Sequence, residues 1–122
     1  DGSLTTVHAN TSRDALARIE NMVLMADLGL PAMAIRKQIA SAIHFIVQLN
    51  RMSDGVRRIQ AVSEIVGIEG DVITMQDIFK FQQKGIDKDG KLIGVHQWTG
   101  VFPRHPHLTA LLREKGILNG VK

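Results

Sequence analysis

Leu4-Thr5-Thr6-Val7 is a β-branched, apolar run without polar alternation, the pattern of a strand buried in a parallel sheet. It stops at the polar cluster His8-Ala9-Asn10, after which Thr11 or Ser12 is suited to cap a helix. Ala15, Leu16, Ile19, Met22, Val23 and Ala26 keep helical spacing, and Asp14 and Arg18 are set for an i,i+4 pair. Gly29 ends that helix, and Pro31 suits the first turn of a second whose stripe is Ile35, Ile39 and Ala42-Ile43. Beyond residue 43 the period becomes twofold, Phe45, Val47 and Leu49 alternating with His44, Gln48 and Asn50. Asp54-Gly55 is a strong hairpin signal, and on the returning strand Ile59, Ala61 and Ile65 oppose Arg58, Gln60 and Glu64. A second turn at Glu69-Gly70-Asp71 precedes Ile73, Met75, Phe79 and Phe81. Asp77 falls on that apolar face, which requires a bulge or a dedicated partner. A third turn, Asp87-Lys88-Asp89-Gly90, leads to a strand from Leu92 to Trp98. The tail turns at Pro103 and Pro106 and closes in a helix from Leu108 to Lys115, stopped by Gly116.

The fold class is therefore α/β within a single unit: strand and two helices over 1–43, an antiparallel extension over 44–102, and a tail helix within 103–122. At 122 residues, 44% hydrophobic and 22% charged, the chain affords one compact core and is not of disordered composition. A formal charge of +3 with no long basic run argues against a nucleic-acid or membrane tail, and five aromatics (one Trp, four Phe) argue against base stacking. Absence of cysteine excludes disulfides and thiolate metal sites and suits a reducing cytosol. No apolar run reaches the roughly 20 residues a membrane span needs. A start at Asp1, with an element beginning almost at once, reads as a segment of a longer protein.

Gly85-Ile86-Asp87-Lys88-Asp89-Gly90-Lys91-Leu92 has the spacing of a phosphate-binding loop and fails its chemistry. The position that needs a magnesium-binding hydroxyl is Leu92, two aspartates would face the phosphates, and a strand follows where a helix is required. Counted from Asp87, the twelfth position of a calcium loop is Trp98 and not Glu. Without cysteine or a carboxylate at ligand spacing, His96, His105 and His107 read as surface histidines before they read as a metal site. Met22, Met25 and Met33 are core fillers, and Arg57-Arg58 is a solvated or interfacial pair. His8 closes a buried strand beside a helix N-terminus. That position suits either a hydrogen-bonded structural histidine or a phosphate-side functional one.

The run Leu4-Thr5-Thr6-Val7-His8-Ala9-Asn10 resembles the histidine box of the secretion and pilus-assembly ATPases, specifically the CpaF-type branch that builds Tad pili. The likeness continues through Arg13-Asp14-Ala15-Leu16, Met22-Val23-Leu24-Met25-Ala26, Gln38-Ile39-Ala40-Ser41-Ala42, Ile46-Val47-Gln48-Leu49 and Ser63-Glu64-Ile65. It ends after Gly70-Asp71-Val72-Ile73-Thr74 and Gln76-Asp77-Ile78-Phe79. The resemblance implies the C-terminal part of a RecA-like P-loop NTPase domain, its first strand belonging to the parallel sheet. It implies His8 as the catalytic-site residue near the terminal phosphate, with Thr6, Asn10 and Arg13 close to nucleotide. ATP and Mg would be held mainly by parts outside this segment. A cytoplasmic hexamer peripheral at the inner membrane, partnered by platform proteins of a type II or type IV secretion or pilus system, is the implied assembly. A non-catalytic module that binds a membrane platform or a neighbouring protomer is the alternative.

Overall fold

The computed structural model describes residues 4–26, 29–106, 109–110 and 114. Two helices precede four strands: α1 (Ser12–Met25), α2 (Ala32–Ala42), β1 (Phe45–Arg51), β2 (Arg57–Glu69), β3 (Val72–Ile86) and β4 (Leu92–Trp98). The strands form one antiparallel meander in the order β1-β2-β3-β4.

Local chemistry places the boundaries. Thr11 is the extended N-cap of α1, its Oγ1 accepting the Asp14 N–H at 3.0 Å. Pro31, at φ −62°, is the N-cap of α2, where a missing N–H costs nothing. Gly55 turns the β1–β2 hairpin at φ +82°, a left-handed conformation that a Cβ would disfavour.

Leu16, Ile35, Ile39, Ile65 and Ile73 form the core, with Ile19, Val23, Ile43, Ile46, Ile68 and Met75 packed against them. The helical stripes of α1 and α2 thus meet the alternating face of β1, β2 and the first half of β3. The helices leave β4 uncovered, and Ile93, Val95 and Trp98 are 49%, 51% and 44% exposed. Among the described residues, no helix is long and apolar enough to cross a membrane.

Several expectations change: Met22 and Met25, read as core fillers, are 54% and 84% exposed on the outer side of α1. Residues 4–9 form no strand, and Leu4 is fully exposed. An extended run needs a neighbour to take its N–H and C=O groups, and the meander offers 4–7 none, so the expected parallel strand is not formed. Glu64, read only as lying on the face of β2 opposite Ile65, is 2% exposed. Twofold periodicity separates the two faces of a strand but does not say what crosses them, and residues 102–105 cross this one.

The expectation for Asp77 holds in both its forms. The β2–β3 register shifts between Val62 and Ser63, and the Asp77 carboxylate accepts the Ser63 hydroxyl and pairs with Lys80 at 3.2 Å. Backbone is helical again at Pro106, Thr109, Ala110 and Glu114. The expected ends of that helix, Leu108 and Lys115 with the Gly116 stop, lie outside the described residues, as does His107.

Candidate functional site

The segment that carries the candidate residues is tied down at its end and open before it. Gln48, buried on β1, donates its Nε2 to the Ala9 carbonyl at 2.9 Å and to Asn50 Oδ1 at 2.8 Å. Ser12, the first residue of α1, lies within hydrogen-bond reach of Ser63 on β2, Oγ to Oγ 3.3 Å. The Asn10 N–H points at Asp14 Oδ2 from 3.4 Å, so the first turn of α1 holds both Asn10 and Thr11. His8 stands just ahead of this anchored corner, exposed and without a hydrogen bond or ion pair among the described residues. Thr6 is likewise exposed. The structure brings Asn10 and Arg13 into one helix start, leaves His8 beside it, and brings Thr6 to neither.

Arg13 acts across the fold. Its Nη1 donates to the Ile73 carbonyl on β3 at 2.6 Å, joining the start of α1 to the sheet. It lines an open groove of about 230 Å³ together with Glu20, Arg36 and Asp71. Arg36 and Glu20 pair there at 3.6 Å, so α1 and α2 are clamped by charge outside their apolar seam.

The loop with phosphate-loop spacing is the β3–β4 turn. Asp87 Oδ1 accepts the N–H groups of Asp89 and Lys91, each at 2.9 Å, which are the donors a phosphate would require. The residues of that loop therefore do not fit a nucleotide. Among the described residues no three His, Asp or Glu side chains group as a metal site. His96 Nε2 lies 2.8 Å from the Ile59 carbonyl, and its ring meets Phe81 edge-on at 5.5 Å, which gives it a structural role.

Two carboxylates outside the sequence-predicted site organise the sheet. Asp54, in the first hairpin turn, accepts a two-pronged bond from Arg58, Nη1 to Oδ1 at 3.0 Å and Nη2 to Oδ2 at 2.8 Å. Its oxygens also take the N–H of Val56 at 3.1 Å and of Leu92 at 2.8 Å, tying the β1–β2 turn to the start of β4. The Arg58 hydrogen bond is the largest influence holding this carboxyl well below the usual carboxylate range; the Leu92 and Val56 donors add to it and desolvation opposes it. The same bond raises Arg58 above its ordinary value.

Glu64 is the second organiser. It accepts the Arg104 N–H on both oxygens (2.8 and 2.9 Å), the His105 N–H at 2.8 Å and Gln76 Nε2 at 2.8 Å. The tail that it holds also stacks Phe102 on Trp98 (4.9 Å between centroids) and His105 edge-on to His44 (4.5 Å). A cleft of about 180 Å³ remains between Glu64, His44, Arg104 and His105. The Asp54-Gly55 turn signal marks one of these carboxylates in the sequence. Nothing in the local pattern marks the other, because its partners lie about 40 residues downstream.

Compared with known proteins, the chain matches no family model and no curated protein.

Proposed function

We propose that this chain is the C-terminal part of a RecA-like ATPase that powers pilus assembly or type II/IV secretion, with His8 as its nucleotide-sensing residue. The observation that carries the reading is the ordered sequence likeness from Leu4 to Phe79, with the histidine box directly before a capped helix. The geometry adds support at one point. Among the described residues His8 is exposed and has no hydrogen bond or ion pair, next to a corner held by Gln48, Ser12 and Asp14, which suits a side chain presented to a ligand.

In this reading Leu4–Val7 pairs as the last strand of a parallel sheet supplied by the preceding part of the protein. That part also brings the phosphate loop, the Mg site and most of the ATP-binding energy. The intact protein is a hexameric cytoplasmic motor at the inner membrane. The meander is its extension toward neighbouring subunits or platform proteins. Sedimentation of the longer protein with and without a non-hydrolysable ATP analogue tests the proposal. Nucleotide-dependent hexamers with ATP turnover are expected; a longer protein that neither binds nor hydrolyses ATP would overturn it.

A further inference from the structure

β1 carries its polarity inverted for a strand that lies under two helices. Val47 and Leu49 face outward, 50% and 59% exposed, while Gln48 between them is 8% exposed on the side of Ile46, which packs against the core. An amide buried in place of an apolar side chain gives up apolar burial and must be desolvated. It is stable there only where its hydrogen bonds offset that loss.

Gln48 uses both of its amide N–H groups. Nε2 donates to the Ala9 carbonyl at 2.9 Å and to Asn50 Oδ1 at 2.8 Å, with the Leu49 carbonyl further off at 3.4 Å. Two of these three acceptors are backbone carbonyls, so the nitrogen and not the oxygen must face them, which gives the amide one orientation. Asn50, two residues along the same face of β1, takes the second proton and steadies the side chain.

The Ala9 carbonyl and the Asn10 N–H belong to one peptide plane. Gln48 holds that plane at its carbonyl, and Asp14 Oδ2 faces its N–H from 3.4 Å. A planar group held at both ends cannot turn freely, and its orientation sets the direction in which the chain leaves toward His8. The other ties of this corner act further along. Thr11 caps α1, Ser12 lies against Ser63 on β2, and Arg13 reaches the Ile73 carbonyl on β3. Those three hold the helix, whereas Gln48 reaches the chain on the His8 side of the cap.

We propose that Gln48 is the positioning residue for His8: by holding the Ala9–Asn10 peptide from β1, it sets where the imidazole stands against the terminal phosphate. The antiparallel extension thereby becomes part of the catalytic geometry, across a separation of 39 residues. This inference rests on the nucleotide reading of His8 and deepens it, with Gln48 acting through the backbone. A small misplacement of a group that works in the transition state slows the chemical step, while nucleotide binding, supplied elsewhere, is kept.

The test is made on the longer protein, with ATP and a non-hydrolysable analogue, and melting curves establish folding. Gln48→Met keeps the length of the side chain and removes both N–H donors. Gln48→Asn, one methylene shorter, keeps an amide on β1 but withdraws it from Ala9, and serves where the methionine variant melts early. Each should slow turnover about tenfold and change analogue affinity by less than about twofold. In a His8→Ala background the same substitutions should slow turnover by less than about twofold further, because no imidazole is left to position. Gln97→Met, on the exposed part of β4, should leave turnover unchanged. Turnover that falls in His8→Ala but holds in folded Gln48→Met and Gln48→Asn overturns this inference alone, as does a Gln48 loss that multiplies with the His8 loss. A longer protein without ATP turnover overturns the nucleotide reading and this inference with it.

Discussion

Replacing Glu64 by alanine removes the acceptor for three groups at once: the Arg104 N–H, the His105 N–H and Gln76 Nε2. A buried donor left unsatisfied costs about 1–3 kcal/mol, and bonds to a charged acceptor lie toward the stronger end. Two effects pull the sum down. Arg104 is exposed and the adjoining cleft is open to water, and removing the carboxylate relieves its own desolvation. At about 1 kcal/mol for each of the three groups the loss is about 3 kcal/mol, or on the order of 10 °C in Tm for a domain of this size. Detachment should be local before it is global, since Leu16, Ile35, Ile39, Ile65 and Ile73 lie on the helix side of the sheet and lose no contact. The Glu64→Gln chain keeps one acceptor oxygen and should lose about half as much. Urea and thermal unfolding give the size, and hydrogen exchange at the Arg104 and His105 amides gives the location. A fall in Tm below about 2 °C in Glu64→Ala, with both amides still protected, would refute the view that this carboxylate holds the tail.

Asp54→Asn should destabilise the chain at neutral pH and flatten its acid limb. A depressed folded pKa means that the unfolded state binds more protons, so this contribution is present above the unfolded value near 3.9 and is lost as pH falls below it; denaturation midpoints measured from pH 7 downward check this. Leu16→Ala, at a site 2% exposed in the centre of the core, should cost about 2–5 kcal/mol by urea unfolding, whereas Leu24→Ala on the exposed side of α1 should cost under about 1 kcal/mol. The 122-residue chain alone should release no phosphate from ATP above background, since its one loop of phosphate-loop spacing is closed by Asp87; steady turnover by clean protein would contradict that.

Much of this fold is legible in the chain because its signals are local. Thr11 before a helical stripe, Pro31 at a helix start, Asp54-Gly55 between two alternating runs and Asp87 before Gly90 each act within a few residues, and the elements begin and turn there. Asp77 could be marked as needing a partner because a charge on an apolar face breaks the period by itself. Leu4–Val7 forms no strand within this chain for the opposite reason. β-branched residues state a preference for extended backbone, but a strand exists only where a second strand completes it. Glu64 and the Gln48 bond to Ala9 depend on register and on segments distant in the chain, and the bulge between Gln48 and Leu49 fixes which residues meet. Of the candidate site, the helix start at Thr11 is readable from capping chemistry, whereas Asn10 and Arg13 are named only by the resemblance. The reach of Arg13 to Ile73, 60 residues away, is readable from neither.

The central claim is that His8 belongs to a nucleotide site completed by the preceding part of the protein, and one paired measurement on the intact protein tests it. Turnover of ATP by His8→Ala and its equilibrium affinity for a non-hydrolysable analogue are compared with the unsubstituted protein, with a melting curve to establish folding. A side chain that contributes mainly in the transition state lowers kcat and kcat/KM together and leaves nucleotide affinity in place. The expected result is a fall in turnover of about ten- to a hundredfold, about 1.4–2.7 kcal/mol, at nearly unchanged affinity. Unchanged turnover in a folded His8→Ala protein would contradict the account and leave this histidine outside the chemistry.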